Sequence, residues 1–381
     1  MALGSPNAQI GRARGLCSAG PAVFPVPMGG IPDCHRIFIG TYTRTTSRGV
    51  YSLLLDAGTG ALGEPELAAE SPNPTFLAVS PDRRFLYAVC SGDAWASSFA
   101  IDPATARLSP IQLGKPGSGP TPCHIAVDRE GRIAIAANYH LGTAAAIPLG
   151  ADGAMGAPHV VAHSGRGPHP LRQAAPHVHS TNFSPDGRFA LVCDLGLDRI
   201  FTYRIDRESV AFIPAATPFV AAAPGSGPRH LTFGRGGRHA YAINELDNTI
   251  VGYRYEAMDG SLTALQSVSV LPPGFEGDAT AAEVSIHPSG KFVYGSSRGP
   301  DTLAVFAVDS ATGSLSPIEI VLCGGKGPRH FSISPDGTWL VCAHQDSNTL
   351  CSFRIDLQTG RLERVPGTVA VPMPVCAVFL D

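Results

Sequence analysis

Apolar and polar positions along the chain repeat a short pattern, in which two apolar strands flank a polar turn. Runs of this length, bounded by Gly, Pro, Asp and Ser, predict β-strands. The pattern occurs as FLAVSPDRRFLYAVC, HIAVDREGRIAIAAN, STNFSPDGRFALVCD, LTFGRGGRHAYAINE, VSIHPSGKFVYGSSR and FSISPDGTWLVCAHQ. The equivalent turn positions are Arg83, Gly131, Gly187, Gly237, Gly290 and Gly337, which are 48, 56, 50, 53 and 47 residues apart. This nearly constant spacing indicates an internal repeat.

Each copy continues into a third strand, such as TIVGYRYE, TLAVFAVD or TLCSFRID, and a fourth follows a TG-x-L or DG-x-L turn. Four strands in about fifty residues are typical of one blade of a β-propeller. One period before Arg83 lies His35, where HRIFIGTYTRTTSRGVYSLLLD supplies the second and third strands of another blade but no first strand. The C-terminal segment MPVCAVFLD matches NPTFLAVSPD and can supply that first strand. The sequence therefore predicts a closed ring of seven blades, which has no free sheet edge.

We thus expect an all-β, seven-bladed β-propeller over residues 34–381, with four antiparallel strands per blade, preceded by a flexible leader over residues 1–33. A β-sandwich also contains periodic short strands, but six copies at this spacing favour the propeller. The strand pattern excludes a helical solenoid, as do the 43 glycines and 34 prolines among the 381 residues.

Composition narrows the classes of function. Charged residues are 15% of the chain and the net charge is -3, so no basic field could hold nucleic acid or an anionic membrane. No apolar run approaches the ~18 residues that span a bilayer. Gly and Pro interrupt the leader's apolar runs, which argues against a signal peptide. The nine cysteines include no C-x-x-C pair, and five lie in apolar strands, so we expect a reduced, cytoplasmic compartment.

Unusual polar residues occupy two equivalent positions of the blades. The first strand of a blade lies along the central channel and the second runs antiparallel to it, so the start of one and the end of the other share a rim. Near the first-strand starts are Asn73, His124, His177, His179, Arg229, His230, Glu283, Arg329 and His330. Near the second-strand ends are Thr41, Tyr42, Asn138, Tyr139, Asp194, Asn244, Glu245, Arg298, His344 and Gln345. Seven blades would bring these side chains to one concave mouth.

Each of these residues alone has a structural interpretation, because an arginine beside a glutamate is more often half of an ion pair than a catalytic device. The group, with three arginines, several histidines and two glutamates on one rim, favours a functional site. Metal binding is not expected, since His159, His163, His169, His177 and His179 match no ligand spacing. The first three of these histidines are expected on an exposed loop. No G-x-S-x-G motif supports a nucleophilic serine.

Several segments also resemble a known family. They are GTYT at 40–43, PHVHSTNFSPDGRFALVCDLGLDRI at 176–200, GPRHLTF at 227–233, NELDNT at 244–249 and GPRHFSISPDG at 327–337. They are similar to the propeller-type lactonases, which comprise bacterial seven-bladed 6-phosphogluconolactonases and fungal carboxymuconate-lactonising enzymes. The likeness extends from about residue 35 to the end of the chain.

The resemblance implies a cytoplasmic, metal-free propeller that opens or closes a lactone ring on an anionic substrate. The active residues that it implies are His179, Arg229, Glu245 and Arg298. The family commonly has Asn before the last of these, where this chain has Ser297.

We therefore expect a cofactor-free lactonase for a sugar δ-lactone, foremost 6-phospho-D-glucono-1,5-lactone of the pentose phosphate pathway. Glu245 or His179 would be the general base, and Arg229 would stabilise the oxyanion. Arg298, Arg329 and His330 would hold the phosphate. Glu283 would orient an arginine. The further substrate-binding candidates are His124, Asn138, His177, His230 and Gln345.

Two alternatives remain open on the sequence alone. One is a lactonase or cycloisomerase for an unphosphorylated sugar lactone or a carboxymuconolactone, and the other is a non-catalytic propeller scaffold. The expected partner is a small anionic lactone, without nucleic acid or membrane, and the expected state is a monomer or a weak homo-oligomer.

Overall fold

The computed structural model describes residues 33–90, 95–114 and 122–380, together with Met1. Within these ranges, 29 strands form seven sheets, and the sole helical element is a 3-10 turn at Leu195–Leu197. The predicted leader lies almost entirely outside the described residues. In the same ranges, no helix has the length and apolar character needed to cross a membrane.

The first four blades have the following strands, in order from the channel outward. Blade 1 contains Pro374–Phe379 (β29), Cys34–Thr41 (β1), Gly49–Asp56 (β2) and Glu66–Glu70 (β3). Blade 2 contains Pro74–Val79 (β4), Phe85–Cys90 (β5), Ala96–Ile101 (β6) and Leu108–Gln112 (β7). Blade 3 contains His124–Val127 (β8), Ile133–Asn138 (β9), Thr143–Pro148 (β10) and His159–Ala162 (β11). Blade 4 contains Val178–Phe183 (β12), Phe189–Asp194 (β13), Arg199–Asp206 (β14) and Ala211–Ala221 (β15).

The remaining three blades follow the same order. Blade 5 contains Pro228–Phe233 (β16), His239–Asn244 (β17), Thr249–Tyr255 (β18) and Leu262–Ser269 (β19). Blade 6 contains Thr280–Ile286 (β20), Phe292–Arg298 (β21), Thr302–Val308 (β22) and Leu315–Leu322 (β23). Blade 7 contains Pro328–Ile333 (β24), Trp339–His344 (β25), Thr349–Ile355 (β26) and Leu362–Arg364 (β27), and Val369–Ala370 (β28) also pairs with β26.

The C-terminal strand closes the ring. It pairs antiparallel with β1, and the register places Ile37 opposite Phe379 and Ile39 opposite Ala377. The first blade thus takes its innermost strand from the end of the chain, as the sequence predicts. The seven-bladed propeller and its mode of closure are confirmed.

The Ser-Pro-Asp-Gly turns form the rim opposite the polar residues. In one of them the Ser184 hydroxyl donates to Asp186 at 2.7 Å and accepts from the backbone N–H of Phe189 at 2.9 Å. Gly187 closes this turn in the left-handed region, at φ 70°. A glycine adopts this conformation without the steric penalty of a Cβ atom. These residues therefore shape the hairpin.

Apolar side chains of neighbouring blades interlock between the sheets. Between blades 1 and 2, for example, Phe38 and Val50 pack in one cluster with Leu86 and Phe99, and all four are fully buried. Burial of such a side chain stabilises the fold by about 1.5–3 kcal/mol. Similar clusters recur around the ring, so the innermost strands are held firmly and their first residues meet at one rim.

Candidate active site

Arg229 and Glu245 lie together, as the hairpin between them requires. Arg229 is the second residue of β16, and Glu245 follows β17 directly. The register pairs Pro228 with Asn244, and an irregularity in the pairing falls between Pro228 and His230. The Arg229 Nε–H donates to the Glu245 carboxylate at 2.9 Å, and both side chains are buried.

The Glu245 carboxylate binds three guanidinium groups. Arg229 and Arg298 approach Oε2, at 2.9 and 3.3 Å, and Arg172 contacts Oε1. Burial alone would raise the pKa of Glu245, but Arg298, Arg229 and Arg172 together lower it to about 2. Glu245 is therefore a buried anion at neutral pH, and both of its oxygens are engaged.

Arg172 is a site residue that the sequence pattern did not indicate. It comes from the connection between β11 and β12, outside the repeated strands, and its side chain is 35% exposed. The neighbouring Gln173 fastens this connection, because its amide donates to the Leu195 carbonyl at 2.8 Å and to Asp198 at 2.7 Å. Arg172 is one of two arginines in this histidine-rich connection, with Arg166, and the connection has no equivalent in the other blades that could distinguish them.

Glu283 contacts two histidines, and not the arginine that was expected. His230 Nδ1 lies 2.9 Å from Glu283 Oε2, and His330 Nε2 lies 3.4 Å from the same oxygen. On the other side of its ring, His230 Nε2 faces Arg229 Nη1 at 3.2 Å. Arginine can only donate, so His230 carries its proton on Nδ1 and accepts at Nε2.

Three buried histidines next to Arg229 and Glu283 have lowered pKa values and are therefore neutral. Burial, and then the neighbouring Arg229, lower the pKa of His179 and of His230 well below 6.5. Burial also lowers the pKa of His330 to about 4, although Glu283 opposes the shift. Burial raises the pKa of Glu283 itself, against the effect of His330 and Arg229. The contact between Glu283 and His230 is therefore a hydrogen bond from a neutral ring, and the neutral ring of His330 lies near the same carboxylate oxygen.

A cavity of about 20 Å³ lies at the centre of the rim, lined in part by Tyr42, His179, Arg229, His230, Arg329 and His330. That volume holds about one water molecule. His179 Nδ1 is buried and has no hydrogen-bond partner among the described residues. A buried polar atom without a partner costs about 1–3 kcal/mol, and such atoms in native structures often mark functional positions.

Arg229 lines this cavity and has one guanidinium nitrogen without a partner among the described residues. Its Nε–H is used by Glu245, and its Nη1 donates to the Ala282 carbonyl at 2.5 Å and to His230. Nη2 has no partner in the described part of the chain. Two of the three guanidinium nitrogens, Nε and Nη1, are thus hydrogen-bonded, and Nη2 is not.

The other substrate-binding candidates fall into two sets. His124 is buried against Phe76 and His230, with ring centroids 4.2 and 5.2 Å away, and so belongs to the central cluster. Arg329 lines the cavity. By contrast, His177 stacks on Tyr139 at 4.4 Å, Asn138 accepts from the backbone of Leu141 at 3.3 Å, and Gln345 donates to Asp346 at 3.1 Å. These last three do not line the cavity.

One expectation about the histidine-rich loop is wrong. The side chain of His163 is only 2% exposed and is held between Asp194, at 2.6 Å, and Tyr203, at 2.9 Å. Asp194 and Tyr203 come from β13 and β14, so a loop residue completes a polar network inside blade 4. His159 is exposed, as expected, but it is the first residue of strand β11 and does not lie in a loop. Among the described residues, no His, Cys, Asp and Glu side chains are grouped to hold a metal ion.

A second, larger cavity of about 530 Å³ opens at the opposite rim. Its walls are the hairpin turns, including Asp128, Arg129, Gly187 and residues 234–237. It contains none of the buried histidines or glutamates of the other rim. The smaller cavity is therefore the candidate active site.

Comparison with known proteins agrees with this architecture. The profile of the family described as "Lactonase, 7-bladed beta-propeller" matches residues 36–379. The chain belongs to this family, and the predicted class of enzyme, a hydrolase that acts on a cyclic ester, is confirmed.

Individual relatives carry two different substrate names. The 6-phosphogluconolactonase of Bacillus subtilis is 36% identical over 348 residues, which cover 90% of this chain and 97% of that protein. The 6-phosphogluconolactonase of Serratia proteamaculans is 31% identical and covers 70% of this chain and 75% of its own length. The structure of the periplasmic gluconolactonase of Pseudomonas aeruginosa has a TM-score of 0.84 and 33% identity, and covers 91% of this chain and 99% of that one.

Proposed function

We propose that this chain hydrolyses six-membered sugar lactones to the open acids, with 6-phospho-D-glucono-1,5-lactone as its main substrate. The observation that carries the proposal is the charge around the small cavity. Among the described residues, the group comprises four guanidinium groups, of Arg172, Arg229, Arg298 and Arg329, and two carboxylates, of Glu245 and Glu283. In a chain whose net charge is -3, this local excess of positive charge favours an anionic ligand.

Arg229 would stabilise the oxyanion. Its free Nη2 can donate to the carbonyl oxygen of the lactone, where negative charge develops when water attacks. Because Glu245 and the Ala282 carbonyl already fix the guanidinium, little reorganisation would be needed during the reaction.

His179 would be the general base. It is neutral, it lines the cavity, and its Nδ1 is not engaged by another residue of the described chain. The other proposed base, Glu245, is held by three arginines and has a pKa of about 2, so it is poorly suited to accept a proton. Glu245 would instead position Arg229.

The proposed reaction begins with the attack of water on the lactone. His179 takes a proton from water while the water oxygen bonds to the lactone carbonyl carbon, and the resulting oxyanion is bound by Arg229. The oxyanion then re-forms the carbonyl, and the bond to the ring oxygen breaks. The protonated His179 returns its proton to that oxygen, which leaves a hydroxyl and a carboxylic acid that ionises in water.

The phosphate role is better supported for Arg329 than for the other two candidates. Arg298 is bound to Glu245 and donates to the Thr280 and Ala281 carbonyls, at 3.2 and 3.0 Å. His330 is neutral and faces Glu283. Arg329 has no ion-pair partner within the described ranges, and it lines the same cavity as Arg229. It is therefore available to an anionic group on the substrate.

The cytoplasmic location and the monomeric or weakly oligomeric state stay predictions. Seven described cysteines are free thiols, but Cys34 is disulfide-bonded, so thiol chemistry does not decide the compartment.

The second candidate function is the hydrolysis of an unphosphorylated lactone. It is favoured by the periplasmic gluconolactonase among the similar structures.

A pH-indicator assay of acid release tests the proposal. The purified chain would be given 6-phosphogluconolactone, glucono-δ-lactone and a muconolactone, each corrected for its spontaneous hydrolysis. We expect the highest kcat/KM with the phosphorylated sugar lactone. Equal or better turnover of glucono-δ-lactone would favour the second candidate, and rates at background with every lactone would refute both.

A further inference from the structure

Two arginines from different blades contact the same aromatic ring beside the cavity. The guanidinium carbon of Arg44 lies 4.3 Å from the centroid of the Tyr42 ring, and that of Arg329 lies 5.8 Å from it. Tyr42 follows β1 in blade 1, whereas Arg329 belongs to β24 in blade 7. The ring thus brings together two cations that are far apart in sequence. The sequence pattern gave no reason to single out Arg44.

Neither of these two cations is neutralised within the described residues. Arg172, Arg229 and Arg298 all bind Glu245, but no carboxylate lies within ion-pair distance of Arg44 or Arg329 in the same ranges. Contacts with the ring face are worth about 0.5–1 kcal/mol at exposed sites, which does not remove the mutual repulsion of two cations. An anion bound by both guanidinium groups would offset this repulsion.

The corner that carries Tyr42 and Arg44 is rigid. The backbone N–H of Thr43 donates to the Asn73 side chain at 2.8 Å, and the backbone N–H of Asn73 donates to the Thr43 hydroxyl at 3.1 Å. The backbone N–H of Tyr42 donates to the Met373 carbonyl at 3.1 Å. These bonds tie the corner to the chain segments just before β4 and β29. The backbone that carries Arg44 is therefore already fixed before a ligand binds.

We propose that Arg44 and Arg329, which both lie against the Tyr42 ring, form the subsite for a phosphate monoester on the substrate. This inference rests on the proposed lactonase function and deepens it. Arg329 faces the same cavity as His179 and Arg229, and Arg44 is exposed outside it. The phosphate therefore lies toward solvent while the lactone carbonyl reaches inward to Arg229. Guanidinium forks match the oxygens of a phosphate, and these charge-assisted bonds are stronger than neutral ones.

Arg44 permits a selective test because it is outside the cavity where the reaction is proposed. We would measure KM and kcat of Arg44→Ala with 6-phosphogluconolactone and with glucono-δ-lactone. Loss of one charge-assisted contact raises KM for the phosphorylated lactone by about tenfold. The ratio of the two KM values should therefore shift toward glucono-δ-lactone by about the same factor, with kcat for the phosphorylated lactone almost unchanged.

A matched control is available on the opposite rim. Arg84 is also an exposed arginine over an aromatic ring, with its guanidinium carbon 4.9 Å from the Phe85 centroid. Arg84→Ala removes the same charge and a similar ring contact, so it should leave both KM values as in the wild type. If Arg84→Ala and Arg44→Ala raised KM equally, the effect would be one of overall charge and the subsite would be wrong.

The outcomes separate this subsite from the lactonase function. Wild-type hydrolysis of 6-phosphogluconolactone with an unchanged KM in Arg44→Ala would overturn the subsite and leave the lactonase proposal standing. If the wild type hydrolysed no lactone, calorimetric titration with inorganic phosphate would still decide. The subsite predicts about tenfold weaker phosphate binding by Arg44→Ala than by the wild type or Arg84→Ala, and equal or undetectable binding by all three would contradict it.

Discussion

Glu245→Gln tests whether Glu245 is a buried counter-ion, because the substitution removes the charge and almost nothing else. The carboxylate is surrounded by Arg172, Arg229 and Arg298. Glutamine has the same length and keeps one acceptor oxygen, so Arg229 can still donate. The three positive charges, however, lose their only carboxylate partner among the described residues.

The expected loss of stability follows from the burial of the partners. Removing one member of a buried ion pair costs about 3–5 kcal/mol, because the other charge remains buried. Arg229 is 2% exposed, so the loss of its carboxylate partner should cost the full amount. The Arg172 side chain is 35% exposed, so water screens its charge and its contribution to the destabilisation is smaller. We therefore expect the free energy of unfolding to fall by about 3 kcal/mol, at the lower end of that range.

Chemical denaturation measures this loss, and the chain supplies a matched control. Glu70 pairs with Arg48, and the two side chains are 67% and 65% exposed. Glu70→Gln makes the same chemical change at an exposed pair, where the effect should stay below about 1 kcal/mol. If Glu245→Gln were no more destabilising than Glu70→Gln, the role of Glu245 as a buried counter-ion would be refuted.

Two predictions concern pH. First, kcat/KM should stay level as the pH falls through 6.5, because burial keeps the pKa of His179 well below that value. A fall in kcat/KM centred at pH 6.5 would instead indicate a histidine with an ordinary pKa. A His179→Asn variant that kept the wild-type rate would remove His179 from the mechanism. Second, the free energy of unfolding should fall below pH 6.5. His124, His179 and His230 bind protons more readily in the unfolded chain, and unfolding is then favoured by acid. Glu245, with its pKa lowered from 4.5 to about 2, extends this loss to lower pH, while the raised pKa of Glu283 opposes it. Denaturation curves at about pH 7.5, 6 and 5 measure the trend, and stability that rose with acid would contradict it.

The repeat was enough to predict the architecture and the rim that carries the site. Strand alternation and turn residues are local properties of the sequence. They were therefore enough to predict the hairpin between Arg229 and Glu245 and the proximity of these two residues. The closing strand could also be predicted, because Pro374–Phe379 repeats the pattern of Pro74–Val79. These inferences needed no knowledge of contacts between blades.

The site features that could not be predicted from the sequence depend on contacts between different blades and loops. Arg172 reaches Glu245 from a connection that has no counterpart in the repeat, and this third ion pair favours the proposed role of Glu245 as a counter-ion over that of a base. Arg44 was missed because only the ring of Tyr42 relates it to Arg329. Gln345 occupies the right end of its strand, but its amide turns to Asp346 instead of the cavity. Side-chain direction and charge pairing depend on neighbours that a one-dimensional pattern does not specify.

In the proposed reaction, Arg229 in the small cavity stabilises the reacting carbonyl of a sugar lactone. The most direct measurement is acid release from 6-phosphogluconolactone by the wild type and by Arg229→Ala, with folding checked by circular dichroism. Glu245 would keep Arg172 and Arg298 as partners, so the variant should retain its fold. We expect a loss of roughly 10²-fold or more in kcat, the scale of a missing oxyanion donor. Wild-type turnover by a folded Arg229→Ala variant would contradict the claim.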